Sequence, residues 1–126
     1  MWRETAARCG ERISEELLTL QGCEVVDRNV RVGRGEIDLV ARDKGQVVFV
    51  EVKFRTGERE AKPFESVTWK KREDVARAAA RYLARRGLLD RSIRFDVIGI
   101  TWRAALRELL VQHVPNAYPG VRNHFF

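Results

Sequence analysis

Histidine and cysteine are nearly missing from this chain, and the few present are scattered. Cys9 and Cys23 form no CxxC pair, and His113 and His124 stand alone late in the sequence. A zinc site needs spaced Cys and His ligands, which this pattern does not supply. Nor does either histidine lie near an acid and a nucleophile in a pattern that would suggest a Ser–His or Cys–His mechanism. The thiols are expected to be ordinary, buried and reduced. Proline is scarce, at 3 residues, and there is neither a low-complexity segment nor an internal repeat, so a solenoid or a linker-rich protein is not expected. No apolar run approaches the ~18 residues of a membrane helix. The opening "MWRETAARCGER" has no apolar signal core, so a cytoplasmic protein with no membrane contact is expected.

What is present suits one domain spanning residues 1–126. A chain of this size buries about two thirds of its unfolded surface, enough for a core without disulfide staples. The net charge is +6 and arginine exceeds lysine. Arginine's planar fork binds two phosphate oxygens at once, so the balance favours an anionic partner without identifying one.

Between Arg3 and Gln21, Cys9, Ile13, Leu17 and Leu20 recur at helical spacing, with Leu18 widening the face and Gly22 as the stop. Glu11, three before Ser14 and seven before Leu18, borders that stripe. "CEVVDRNV" reads as a first strand, "RVGRG" as a turn, "EIDLVAR" as a second strand, "DKG" as a hairpin and "QVVFVEVK" as a third, central strand. "FRTGEREAKPFES" reads as a polar loop. A second helix, capped by Ser66 or Thr68, runs to about Arg86 with Val75, Ala78, Ala79 and Tyr82 facing the core. "SIRFDVIGITW" is a fourth strand, the second half of "LRELLVQHV" a fifth, and "PNAYPGVRNHFF" irregular. The order α-β-β-β-α-β-β predicts an α/β fold with a central mixed five-stranded sheet flanked by helices.

Two acids disturb this apolar pattern. Asp38 lies inside the second strand, and Glu51 and Lys53 share one face at the end of the third. Across an antiparallel pair, facing side chains lie about 5 Å apart, so Asp38 and Glu51 can converge. Converging carboxylates repel unless a cation sits between them. Mg²⁺, or Mn²⁺, takes oxygen ligands, commonly one or two carboxylates with water and phosphate. Lys53 is placed to orient water or meet developing negative charge, and Glu11 to join the metal shell directly or through water. The competing reading makes Glu51 and Lys53 a strand-end ion pair and Asp38 a solvated turn residue.

The order helix acid, "GEID", "FVEVK", "RFDV", supported by "NAY", resembles the YraN-like family of uncharacterised bacterial predicted endonucleases, from about Gly10 to Tyr118. That family resembles archaeal Holliday-junction resolvases and the restriction-endonuclease-like PD-(D/E)xK superfamily. The resemblance implies a restriction-endonuclease-like fold, a Mg²⁺- or Mn²⁺-dependent DNA endonuclease with branched or junction DNA among its substrates, and a homodimer among its assemblies, with "RFDVIGITW" and "HFF" as interface segments. Asp38 and Glu51 match the motif acids, Lys53 the motif lysine and Glu11 the helix acid, with Glu15 one turn away as the alternative. Ile37 stands where the motif name has proline. Glu36 fits a supporting carboxylate or a partner for Arg34.

Arg28, Arg31, Arg34, Arg55, Arg59, Lys62, Lys70, Lys71 and Arg72 cluster around these motifs. Arg31, Arg34, Arg55, Arg59, Lys62 and Lys71 are the candidates for phosphate contact; Arg77, Arg81 and Arg85 read as a solvated helix face. Trp2, Trp69 and Trp102 read as packing residues before base-stacking ones. Two other functions fit the same composition: a non-catalytic nucleic-acid-binding module, and a basic domain that docks an acidic protein.

Overall fold

β-Branched residues on both faces of "QVVFVEVK" require cover on both sides, and the fold supplies it. The structure, a computed structural model, describes residues 2–57 and 69–119. The elements are α1 (Trp2–Leu20), β1 (Glu24–Val32), β2 (Gly35–Asp43), β3 (Gln46–Thr56), α2 (Trp69–Arg85), β4 (Ile93–Arg103), a 3-10 turn (Ala104–Leu106) and β5 (Glu108–Val114). The five strands lie in sequence order in one sheet, antiparallel except for the parallel β3–β4 pair. This is the expected mixed sheet and element order.

Each helix covers one face. Leu18 of α1 packs on Leu39, Ala41, Val48, Val50, Ile98 and Ile100, with Val52 and Phe54 at the margin. Val75, Ala78, Ala79, Tyr82 and Leu83 of α2 pack on the other face, against Ile37, Val40, Val47, Phe49, Phe95 and Val97. Two glycines let the helices approach closely. A Cβ on Gly10 would lie 3.3 Å from Val52 Cγ1, which seats α1 on β3. A Cβ on Gly35 would lie 2.3 Å from the Asp74 carbonyl oxygen and 2.7 Å from Ala78 Cβ, so α2 rests directly on the start of β2.

Several boundaries differ from the expectation. Arg31 and Val32 belong to β1, because the antiparallel ladder continues to Val32 opposite Gly35, leaving Gly33 and Arg34 as the turn. Phe54, Arg55 and Thr56 belong to β3, because parallel pairing with Ile100, Thr101 and Trp102 recruits polar residues that read locally as loop. In α1 the buried line is Gly10, Ser14 and Leu18; Leu20 is 85% exposed and Cys9 is exposed. β5 takes in all of Glu108–Val114 rather than its second half. β4 lies between β3 and β5 with Phe95–Thr101 buried, so this part of "RFDVIGITW" is core and not an interface. Ser66, Thr68, His124 and "HFF" lie outside the described residues.

The tail is anchored where it read as irregular. Asp96, 1% exposed, takes hydrogen bonds from Arg94 Nε and Nη2 at 2.8 and 3.0 Å, from His113 Nε2 at 2.8 Å and from the Asn116 N–H at 2.9 Å. Burial alone would raise the Asp96 pKa; those donors outweigh it and hold the carboxyl below its ordinary value. Ala117 N–H donates to the Phe95 carbonyl, and Tyr118 stacks on Phe95 with ring centres 5.1 Å apart. "RFDV" and "NAY" are therefore two halves of one structural lock. Among the described residues no helix is long and apolar enough to cross a membrane.

Candidate active site

The sheet departs from regularity in two places, a register shift between Val25 and Asp27 and a break at Asp38. The β1–β2 ladder pairs Arg28 with Leu39 and Val30 with Ile37, stepping over Asp38 and over Asn29, whose φ is +50°. Ile37 packs into the α2-side core and Leu39 into the α1-side core, although residues two apart on a regular strand share a face. The backbone is therefore kinked at Asp38. The β2–β3 ladder ends at Leu39 opposite Val50; one step further in that register would set Asp38 against Glu51. Instead, the Val52 N–H donates to Asp38 Oδ2 at 2.7 Å. The Asp38 carboxylate thus takes up a donor that a continuing β2 would have taken, and the sheet opens between β2 and β3.

A cavity lies on each side of this opening. The α1-side cavity, about 450 Å³, is lined by Glu11, Glu36, Asp38, Val52, Phe54 and Arg55 among others. The α2-side cavity, about 420 Å³, is lined by Arg34, Glu36, Asp38, Glu51, Lys70, Lys71 and Asp74 among others. Asp38 and Glu36 face both. The structure thus brings Glu11 to Asp38 on one side and Glu51 to Asp38 on the other. Among the described residues no three His, Cys, Asp or Glu side chains form one tight metal cage.

The electrostatics follow from this placement. Burial pushes the Asp38 pKa up to about 6; the Val52 N–H works against that, and the charges of Glu11, Glu51 and Glu36 add to it. The Glu51 side chain is only 9% exposed, and its Oε1 is in contact with Lys71 Nζ. Its Oε2 is buried with no hydrogen-bond partner among the described residues. A buried carboxylate oxygen without a donor is costly, and two carboxylates against one opening are more so. A divalent cation relieves both costs, and Mg²⁺ needs only one or two protein carboxylates. The residues present therefore fit a cation between Asp38 and Glu51.

The remaining expected residues divide. Lys53 is half-buried, shares the Glu51 face by alternation, and pairs in the ladder with Gly99. Glu15 is committed elsewhere: Arg28 Nε donates to its Oε2 at 2.9 Å, so Glu11, not Glu15, is the α1 acid that lines the opening. Glu36 meets Arg31 Nη2 at 3.6 Å rather than Arg34. Arg34 lines the α2-side cavity, and Arg55 lines the α1-side one while its Nε donates to Thr101 Oγ1 at 2.9 Å. Arg72 lies over the Tyr118 ring, 5.0 Å from its centre. Arg59 and Lys62 lie outside the described residues. Sequence reasoning placed Lys70 and Lys71 in the basic cluster around the motifs but missed Asp74 as a cavity wall and the Lys71 contact with Glu51. No local signal marks them, because α2 reaches the site only through its seat on Gly35.

Fold and site together define an α/β domain whose central sheet opens onto paired carboxylates beneath a basic helix end. Comparison with known proteins gives this class its family. A profile described as "Uncharacterised protein family UPF0102" matches residues 10–100, and the chain belongs to that family. It is 48% identical over 91 residues to a UPF0102 protein of Symbiobacterium thermophilum, covering 72% of this chain and 77% of the relative. It is 42% identical over 116 residues to one from Syntrophotalea carbinolica, covering 92% and 93%, and 39% identical over 109 residues to one from Geobacter metallireducens, covering 86% and 88%.

Proposed function

We propose that this protein is a divalent-metal-dependent endonuclease of the restriction-endonuclease-like kind, hydrolysing DNA phosphodiesters, with branched DNA among its substrates. The observation that carries the reading is the opening at Asp38 and Glu51: two acids on adjacent strands, one with a raised pKa and one with a buried oxygen that has no partner among the described residues. Asp38 and Glu51 hold Mg²⁺ or Mn²⁺, and the cation, when bound, stabilises charge that develops on a phosphodiester. Asp38 is oriented for this by the Val52 N–H. Lys53, on the Glu51 face, orients the attacking water or meets negative charge. Glu11 approaches Asp38 from the α1 side, where it orders water around the ion. Arg31, Arg34, Arg55 and Lys71 contact phosphates of the nucleic acid.

A cleavage assay on single-stranded, duplex and branched DNA with Mg²⁺ or Mn²⁺ tests this. Wild type is expected to cut, and the double variant Asp38→Ala/Glu51→Ala to lose at least about 100-fold in rate, as when electrostatic stabilisation is removed from a reaction. Equal residual cutting by both would end the catalytic reading. The Glu51–Lys71 contact favours one alternative, a nucleic-acid-binding module whose acid is neutralised internally; it predicts salt-dependent DNA binding that survives Glu51→Gln without any cleavage.

A further inference from the structure

We infer that Lys71 is a built-in counter-cation for Glu51, which a divalent ion must displace before it can occupy the site. This rests on the metal reading of Asp38 and Glu51 and extends it to a residue on another element. Glu51 is nearly buried, whereas Lys71 is 54% exposed and reaches in from α2 to contact Oε1. A carboxylate this deep is strongly unfavourable as a lone charge, and a cation beside it offsets that cost. Lys71 does so at one oxygen only; Oε2 stays buried and unpartnered among the described residues. The pairing is therefore incomplete, as a substitutable partner's should be.

Helix energetics do not explain a lysine here. The first turn of α2 holds Lys70, Lys71 and Arg72 and no acid, which sets positive charge against the positive end of the helix dipole. The helix is fixed in place one turn further on, where the Asp74 carbonyl meets Gly35. The Lys71 backbone is thus held beside the site while its flexible four-carbon stem can turn the ammonium toward the cavity mouth. An ammonium and a divalent ion on one carboxylate repel each other. Cation entry consequently displaces Lys71 from Glu51 toward the cavity that Arg34 and Lys70 also line, where a phosphate would meet all three. Cation and phosphodiester binding then reinforce each other, as linkage requires.

Calorimetric titration of Mn²⁺ into the whole protein, without nucleic acid and at constant pH and ionic strength, tests the exchange. Lys71→Met and Lys71→Gln are expected to bind Mn²⁺ about fivefold more tightly than wild type, the scale of losing one competing, partly exposed ion pair. Lys70→Met removes the same charge from the same cavity and is expected to bind as wild type does. The gain should vanish when Lys71→Met is combined with Glu51→Gln. Circular dichroism melts establish that each variant is folded. If Lys71→Met binds no more tightly than wild type, in a manner that still depends on Asp38, the exchange is refuted while the metal site stands. Equal tightening by Lys70→Met also refutes it, since bulk charge then suffices. No Mn²⁺ binding in wild type and variants alike refutes the metal site, and the exchange with it.

Discussion

Asp38 is an acid kept in an environment that opposes its charge. Its carboxyl titrates near 6 in the folded chain, against an ordinary value of 3.8. Between those values the folded state binds more protons than the unfolded chain, so this group's contribution to stability falls as pH rises through the window and stays unfavourable above it. Asp38→Asn keeps an oxygen for the Val52 N–H and removes the charge. In chelator-treated protein at neutral pH, the variant should be more stable than wild type by up to about 3 kcal/mol. The difference should close below about pH 4, where both forms are neutral. Urea unfolding across a pH series measures it; a difference that does not change with pH would mean the charge of Asp38 is not what strains the site. Asp38 and Glu51 were legible because acids inside apolar runs are anomalies. Asp96 is the same anomaly with a different outcome. Arg94, His113 and Asn116 satisfy it fully, whereas Glu51 keeps an oxygen with no partner among the described residues. Partners separate a structural acid from a candidate ligand, and partners from distant elements are not written in the local sequence.

Among the elements, the period-two strands and the Lys44–Gly45 hairpin were readable because their signals are local. The errors fall where tertiary contacts outweigh local pattern. Parallel pairing carries β3 through Phe54–Thr56, and the face that α1 buries is centred on Gly10, Ser14 and Leu18 rather than on Leu20. Gly35 read as a turn residue, yet its requirement is the close approach of α2. Gly35→Ala would force a Cβ against backbone at Asp74 and against Ala78. Overpacking against a fixed backbone costs about 1–3 kcal/mol or more, and denaturant unfolding should show a loss of at least about 2 kcal/mol. A change under about 0.5 kcal/mol, the range of ordinary surface substitutions, would show that α2 is not fixed in place there. Because α2 carries Lys70 and Lys71, such a shift would also move the basic wall of the α2-side cavity.

At the scale of the whole molecule, a helix lies on each face of a five-stranded sheet, and the β2–β3 pairing stops at Leu39, just before Asp38. The net charge of +6 lies on a chain whose acids Glu11, Glu36, Asp38 and Glu51 gather at that opening. Carboxylates gathered at one opening repel one another, and such a cluster suits a small cation surrounded by phosphate contacts. The measurement that bears most directly on this account is anomalous diffraction from a crystal of the protein soaked in Mn²⁺. The account predicts a peak between Asp38 and Glu51, with oxygens of both carboxylates at about 2.1 Å, the spacing of a hard octahedral cation. A Mn²⁺ ion ordered elsewhere on the molecule, with Lys71 still against Glu51 and no peak at the opening, would contradict it.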